Sequence, residues 1–509
     1  MDRFEIHCHD EYSNIRLLDS INRAKNVVNY GIEIGLKGVC FTNHECLSGS
    51  IKYLQLQKEY PNFKIGIGNE IYLTDTRTKG IPFWHFILIA KDVEGHRQLR
   101  KLSSIAWMQS FYDRGLERVP TTKEELFSII DKEPGHLIAT SACLGGELSS
   151  SIIKMESARK IGDDKEVIIC YNRIIKFIQD MQSHFYNDFY IECAPGQSKE
   201  QIIANKKLIE IANLYGIKMV IGSDAHYLKK EDRYVHKAYL NSKGGEREVD
   251  SFYEYAYLQN EYEIKENLTP SYYNDYISEM FNNSMEIFDK IEVYDLEHSQ
   301  TIPQVPVKDY EKPKADNPFW NKYPVLKSMF LSDDKYERYW VNQCIEKLHN
   351  LHKDNGTYLN RLEEEADIKR TIGEKLGTNM FSYPITLQYY IDMIWDCGSL
   401  VGAGRGSSCS GLNHYLLGIT QLDPIQWSLP FWRYLNRDRV ELGDIDIDLC
   451  PSKKGTILRK IKAERGARFN EDIDDLSRKN LGCVLIATFG TEGTRSTILT
   501  ACRGYRSPD

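Results

Sequence analysis

Gly443-Asp444-Ile445-Asp446-Ile447-Asp448 is the stretch from which the whole chain is read. Three carboxylates alternate with two isoleucines. On an extended strand, residues i, i+2 and i+4 share a face. The spacing therefore predicts that Asp444, Asp446 and Asp448 project together while Ile445 and Ile447 anchor the strand in a core. Like charges so close repel one another, and a bound cation offsets the repulsion. Clustered carboxylates suit Mg²⁺, a hard ion that prefers oxygen ligands. Two such ions can clamp the attacking and leaving oxygens of phosphoryl transfer. Taken alone, the same pattern also describes an edge strand with a solvated acidic face.

Upstream lies Val401-Gly402-Ala403-Gly404-Arg405-Gly406-Ser407-Ser408-Cys409-Ser410-Gly411. Its glycines let backbone amides approach an anion, and its serines add donors. A lone Gly/Ser loop is usually a turn. Followed by an acidic strand it describes a nucleotidyl-transfer site, in which one element holds a triphosphate and the other the metals.

The run from Gly402 to Cys450, GAGRGSSCSGLNHYLLGITQLDPIQWSLPFWRYLNRDRVELGDIDIDLC, resembles the palm of bacterial replicative DNA polymerase III α subunits. That family carries a GRGS loop, an LGIT-x-x-DP segment, an arginine-bearing F-x-R-[FY]-LN segment and P-D-x-D-x-D. Gly443 stands where the family usually has proline. The resemblance implies that Asp444, Asp446 and Asp448 are the catalytic Mg²⁺ ligands. It also implies that Gly404, Arg405, Gly406, Ser407 and Ser408, with Arg433 and Arg439, meet the phosphates of an incoming dNTP; guanidinium groups pair bidentately with phosphate oxygens. For each arginine the plainer alternative is a surface ion pair. Tyr358-Leu359-Asn360-Arg361-Leu362-Glu363-Glu364-Glu365 is similar to the family's Y-x-x-RLE-x-E segment.

Length and composition bound the rest. A chain of 509 residues is long enough for two to four domains, and its apolar and charged fractions are ordinary. A net charge of −8 gives no global basic field, so any DNA binding rests on local basic surface and weakens with salt. The N-terminus lacks the pattern of a signal peptide, and no stretch is apolar for long enough to span a membrane. The twelve cysteines form no C-x-x-C pair and read as reduced cytosolic thiols. The expected setting is the cytoplasm of a bacterial or phage-infected cell.

The first 230 or so residues alternate apolar runs with helical ones. Strands are expected at Phe4–His9, Gly38–Asn43, Lys64–Leu73, Phe83–Ala90, His136–Thr140, Asp188–Cys193 and Ile217–Ser223. Helices are expected at Ile21–Ile34, Lys123–Ile130 and Glu200–Leu214, two of them opened by Thr122 with Glu125 and Ser198 with Gln201. Such alternation predicts a parallel sheet or barrel. Polar donors gather near the carboxyl ends of these strands: His7 and His9 at strand spacing, Asp19, His44, Glu70, His85, Cys143, and Asp224 with His226. Each alone reads as a core or surface residue. Nine donors recurring at strand ends, where barrel enzymes gather catalytic groups, point to a metal site. Imidazole, carboxylate and thiolate together suit Zn²⁺, Mn²⁺ or Fe²⁺.

This part resembles the polymerase-and-histidinol-phosphatase (PHP) family, with its motifs at His7-Cys8-His9, Thr42-Asn43-His44, Gly68-Asn69-Glu70, His85–Ala90, Ser141-Ala142-Cys143 and Ser223-Asp224-Ala225-His226. Asn43 replaces an aspartate common in the family. The two resemblances imply an α/β chain: a distorted, seven-stranded (β/α) barrel of PHP type, then an α+β, Pol β-like nucleotidyltransferase palm truncated at the thumb. The barrel would hold up to three ions, Zn²⁺ or Mn²⁺, for phosphoester hydrolysis, as a 3′→5′ exonuclease in relatives with a complete site. The expected divisions are residues 1–290 for the barrel, 291–320 for a connector bearing Pro303, Pro306, Pro313 and Pro318, 321–450 for a partial palm and 451–509 for the start of the thumb. The resemblance covers about the first half of the family's length. The implied partners are primer–template DNA, dNTPs, and the remaining C-terminal part of the polymerase or a host replisome component. The alternative is an autonomous PHP phosphoesterase without polymerase activity.

Overall fold

In the computed structural model, residues 1–113, 116–242, 250–268, 274–297, 302, 304–465 and 488–505 are described here. The chain divides into two compact units, Met1–Leu296 with Thr488–Asp509, and Glu297–Ala487. Pro303 and the charged run Asn470–Lys479 lie outside the described residues.

The first unit is built on one eight-stranded sheet. Its order runs Phe4–Cys8, Gly38–Phe41, Lys64–Thr74, Trp84–Ala90, Leu137–Thr140, Phe189–Cys193, Met219–Ile221, with Pro120–Thr122 paired to Lys64–Thr74. Beyond the last strand, a parallel bridge between Cys8 and Ala225 joins the two ends, with His9 N–H donating to the Ala225 carbonyl at 3.0 Å. The sheet thus curls almost into a barrel. Its strands are buried on both faces and read as near-continuous apolar runs. Along Trp84–Ala90, for example, Phe86, Leu88 and Ala90 join a core with Leu99, Ile174 and Phe177 from flanking helices. Ile87 and Ile89 join a second core with Phe4, Ile138, Tyr190 and Val220.

The expected parallel sheet needs one correction. Trp84–Ala90 runs antiparallel to both neighbours. The cause lies in the preceding segment, residues 75–83, which holds no helix. A parallel crossover needs a dozen or more residues, whereas a short return suits an antiparallel pair. His85, near the first residue of that strand, is thereby carried to the end of the sheet where its neighbours finish.

Helix entries follow their sequence signals. Thr122 Oγ1 accepts from Glu125 N–H at 3.2 Å and Glu125 returns the bond to Thr122 N–H, a complete capping box for Lys123–Ile130. Ser198 caps Lys199–Tyr215 through Gln201 N–H. Helix Thr494–Tyr505 belongs to this unit and packs on Arg233–Asn241. Gly504 makes that contact possible: a Cβ there would stand 1.9 Å from the Ala238 carbonyl oxygen.

Among its described residues the second unit is mainly helical. Pro324–Phe330, Lys335–Asn350, Gly356–Leu376, Ser382–Asp396 and the short Leu412–Leu416 surround a core of Leu326, Trp340, Leu348, Leu362, Ala366 and Leu412. Lys335–Asn350 and Gly356–Leu376 are separated at residues 351–355, where Asn355 caps the second helix. The acidic stretch lies extended but is not laddered as a strand. Among the described residues it is joined by the antiparallel bridge Val401–Leu449, supported by Gly402 N–H donating to the Asp448 carbonyl at 3.0 Å.

Candidate functional site

Every one of the nine donors expected in the first unit comes to one end of the curled sheet. His7 and His9 leave the first strand, and their Nε2 atoms stand 3.2 Å apart. Asp224 Oδ1 lies 3.2 Å from His7 Nε2 and 3.1 Å from His9 Nε2. His44 Nε2 is 3.0 Å from Asp19 Oδ2 and 3.4 Å from His226 Nε2, and its Nδ1 meets Glu70 Oε2. His85 Nδ1 approaches Glu70 Oε1 at 2.7 Å and Cys143 Sγ at 3.6 Å. Three sets are spaced as an ion needs: His9, His44 and His226; His7, His9 and Asp224; Glu70, His85 and Cys143.

Chemistry supports the metal reading. Asp19 Oδ1, Glu70 Oε1 and Asp224 Oδ1 are buried carboxylate oxygens that, although imidazole nitrogens stand close to the last two, make no aligned hydrogen bond among the described residues. Such oxygens are costly unless a cation or donor meets them. Burial disfavours charge on Asp224, yet the His7 and His226 imidazoles outweigh it and hold its carboxyl well below the usual range. Burial likewise opposes a charged His44, but Asp19 and Glu70 push it up to about 10. His9 goes the other way, down to about 3, through burial and the neighbouring His44 and His226. Burial and nearby carboxylates raise the Cys143 thiol well above its ordinary value. Asp224 also sits at φ +47°, and Ala142 beside Cys143 at φ +56°, in the left-handed region that non-glycine residues rarely adopt.

In the second unit the glycine loop and the acidic stretch are neighbours. Arg405 Nη2 lies 3.3 Å from Asp446 Oδ1 and its Nε 3.7 Å from Asp448 Oδ1. A Cβ on Gly402 would stand 3.0 Å from the Asp448 Cβ, and one on Gly404, at φ +136°, 2.8 Å from Cys409 Sγ. The period-two reading holds in exposure: Asp444, Asp446 and Asp448 face solvent, while Ile445 and Ile447 are half-buried and pack on the core. The three carboxylates do not close on a common point; the Arg405 guanidinium supplies the positive charge between two of them. Ser408 is buried and its hydroxyl donates to the Arg405 carbonyl at 2.9 Å, bracing the loop from within. Arg433 is exposed on the turn Phe431–Arg433, and Arg439 pairs with Glu441 at 2.6 Å. Neither pairs with the aspartates among the described residues.

Comparison with known proteins agrees with both halves. Residues 5–195 match the family described as PHP domain, and residues 337–508 match the bacterial DNA polymerase III alpha NTPase domain. A probable DNA polymerase YorL of Bacillus subtilis and a DNA-directed DNA polymerase of Bacillus phage SPbeta are each 39% identical, over 98% of this chain and 39% of theirs. The DNA polymerase III subunit alpha of Aquifex aeolicus is 29% identical, over 91% of this chain and 38% of its own. The chain is thus similar along nearly all of its length to DNA polymerases, with a PHP match in its first part and a DNA polymerase III alpha match in its last. It spans about two fifths of the length of these relatives. No helix among its described residues is long and apolar enough to cross a membrane.

Residues absent from the sequence reading complete the centre of this polymerase III α relative. Glu192 accepts from His7 Nδ1 at 2.6 Å and from the Thr140 hydroxyl, leaving His7 Nε2 to face the other donors. Its signal was available: it is the lone charge in the apolar strand Phe189–Cys193. Ser13 donates to Asn43 Oδ1 at 2.6 Å, so its oxygen accepts from His9 Nδ1 at 2.9 Å. That chain fixes the tautomer with His9 Nε2 turned to the cluster. Asn43 therefore acts by orienting a donor, and it does not itself join the nine.

Proposed function

We propose that the chain is the N-terminal part of a replicative DNA-directed DNA polymerase whose barrel hydrolyses phosphoesters of DNA. The observation that carries this reading is the convergence of nine N, O and S donors in one unit and the contact of a glycine loop with an aspartate ribbon in the other. In the barrel, His7, His9, Asp19, His44, Glu70, His85, Cys143, Asp224 and His226 would hold up to three Zn²⁺ or Mn²⁺ ions. When bound, such ions polarise a phosphoryl oxygen and stabilise the leaving oxygen. The protein's own part is to hold each donor in one tautomer, as Glu192 and Ser13 do, and to screen the donors from bulk water by burial. The substrate fitting this chemistry is the 3′ end of a primer, trimmed in the 3′→5′ direction.

In the second unit, Asp444, Asp446 and Asp448 would take Mg²⁺ once a nucleotide triphosphate draws Arg405 away from them. Gly404, Arg405, Gly406, Ser407 and Ser408 would cradle the phosphates, with Arg433 and Arg439 as further phosphate contacts. Template DNA, dNTPs and the C-terminal part of the polymerase or a replisome component would be partners, in the cytoplasm of a bacterial or phage-infected cell. A second reading, a free-standing phosphoesterase, is favoured by the donor set being complete within one unit.

The test is trimming of a mismatched 3′ end by purified chain loaded with Mn²⁺ or Zn²⁺, against Asp224→Ala. Equal trimming by both, or none by either, sinks the barrel assignment. Extension of a primer only after the C-terminal part is added supports the polymerase. Trimming with no extension under any such condition supports the free-standing phosphoesterase.

A further inference from the structure

Helix Gly356–Leu376 carries Arg361, Glu365 and Lys369 at intervals of four, so all three lie on one face. Glu365 is wholly buried, and a buried carboxylate is tolerated only when its oxygens are met. They are fully engaged. Oε1 accepts from Leu412 N–H at 2.7 Å and Arg361 Nε at 2.9 Å. Oε2 accepts from Asn413 N–H at 3.0 Å and Asn413 Nδ2 at 2.7 Å. Leu412 and Asn413 are the first two residues after the glycine loop, where a helix start leaves amides without partners. Arg361 uses its other nitrogen, Nη2, on the carbonyls of Ser410 and Leu429. His414 Nδ1 donates to the Ser408 carbonyl at 2.8 Å. The back of the loop is thus bolted to one helix by an acid and a guanidinium, neither of which pairs with the aspartates among the described residues.

We propose that Arg361 and Glu365 are positioning residues that hold the Gly402–Gly411 loop in the shape that accepts a triphosphate. This rests on the reading of that loop as the nucleotide site and names what keeps it ready. A loop ordered in advance loses less freedom on binding, so its anchors act on ligand affinity without touching ligand. The effect is specific to the part of the ligand that the loop meets, the phosphates.

The experiment uses the 509-residue chain with Mg·dATP and with dAMP, both measured by competition against a fluorescent dATP. Arg361→Lys keeps the charge but loses the forked donor; Glu365→Gln keeps the shape but turns one acceptor into a donor. Each variant is expected to weaken Mg·dATP at least tenfold while moving dAMP less than twofold, with unchanged circular dichroism. Wild-type affinity for Mg·dATP in folded variants overturns the proposal. So do equal losses for the two nucleotides, or loss of the folded signal in both variants, which would make the pair merely structural. Failure of the underlying nucleotide-site reading shows separately, as a wild-type chain that binds neither nucleotide, and it overturns the proposal with it.

Discussion

Replacing Lys369 by methionine should stabilise the second unit, and the structure sets the size. Lys369 is fully buried on helix Gly356–Leu376, and its Nζ makes no hydrogen bond among the described residues. Burial lowers its pKa from 10.5 to about 8, with Glu365 only partly restoring it. At about 1.4 kcal/mol per unit, that depression corresponds to about 3 kcal/mol against folding at neutral pH. The sign follows from proton counting. Between pH 8 and 10.5 the unfolded chain binds more protons than the folded one, so stability rises with pH across that window. Below pH 8 the full cost is present. Methionine fills a similar volume without a charge, so Lys369→Met should gain up to about 3 kcal/mol at pH 7 and almost nothing at pH 10.5. Urea titration followed by tryptophan fluorescence reads this directly, since Trp340 lies in that unit's core. Equal stability of the two proteins at pH 7, or a gain that persists undiminished at pH 10.5, refutes the reasoning.

Other perturbations test other parts of the molecule. Glu192→Gln, which weakens the hold on His7 Nδ1, should lower metal affinity by about 10- to 100-fold in a chelator competition while the fold persists. Gly443→Ala would set a Cβ 2.4 Å from the buried Tyr434 ring and should cost about 1–3 kcal/mol, read as a lowered melting temperature of the second unit. Chelation of metal from the purified chain should lower the melting temperature of the first unit and leave that of the second unchanged, by scanning calorimetry. Gly504→Ala should expose helix Thr494–Tyr505 to limited proteolysis, because the new Cβ would collide with the Ala238 carbonyl.

Much of the first unit was legible because its strands are buried on both faces. A continuous run such as Trp84-His85-Phe86-Ile87-Leu88-Ile89-Ala90 announces itself without tertiary information, and histidines or acids at its ends are conspicuous. Strand direction was not legible there, since periodicity is the same forwards and backwards; only the helix-free segment 75–83 carried that information. Glu192 is the lone acid of its strand, and a single acid inside a strand has no local partner to give it meaning. Its partner, His7, lies on a distant strand. In the second unit the alternation of aspartate and isoleucine correctly foretold which side chains face solvent. It could not foretell that, among the described residues, the segment would be joined at a bridge and not a ladder, because pairing depends on a neighbouring strand that no local pattern specifies. Arg433 and Arg439 stood beside the motif in sequence but extend from a surface turn, where long charged side chains meet water at little cost.

The stitch between Cys8 and Ala225 bears on how this molecule is born. Strand Phe4–Cys8 leaves the ribosome more than two hundred residues before Ala225, and the candidate metal donors straddle that wait, from His7 to His226. Pairings between such remote positions form slowly, after local helices are in place. A nascent chain therefore cannot complete the two sets that use Asp224 and His226 until residue 226 has emerged, and a polypeptide arrested earlier holds His7, His9 and His44 without those partners. Ion uptake by stalled chains of graded length would register that moment as a single step.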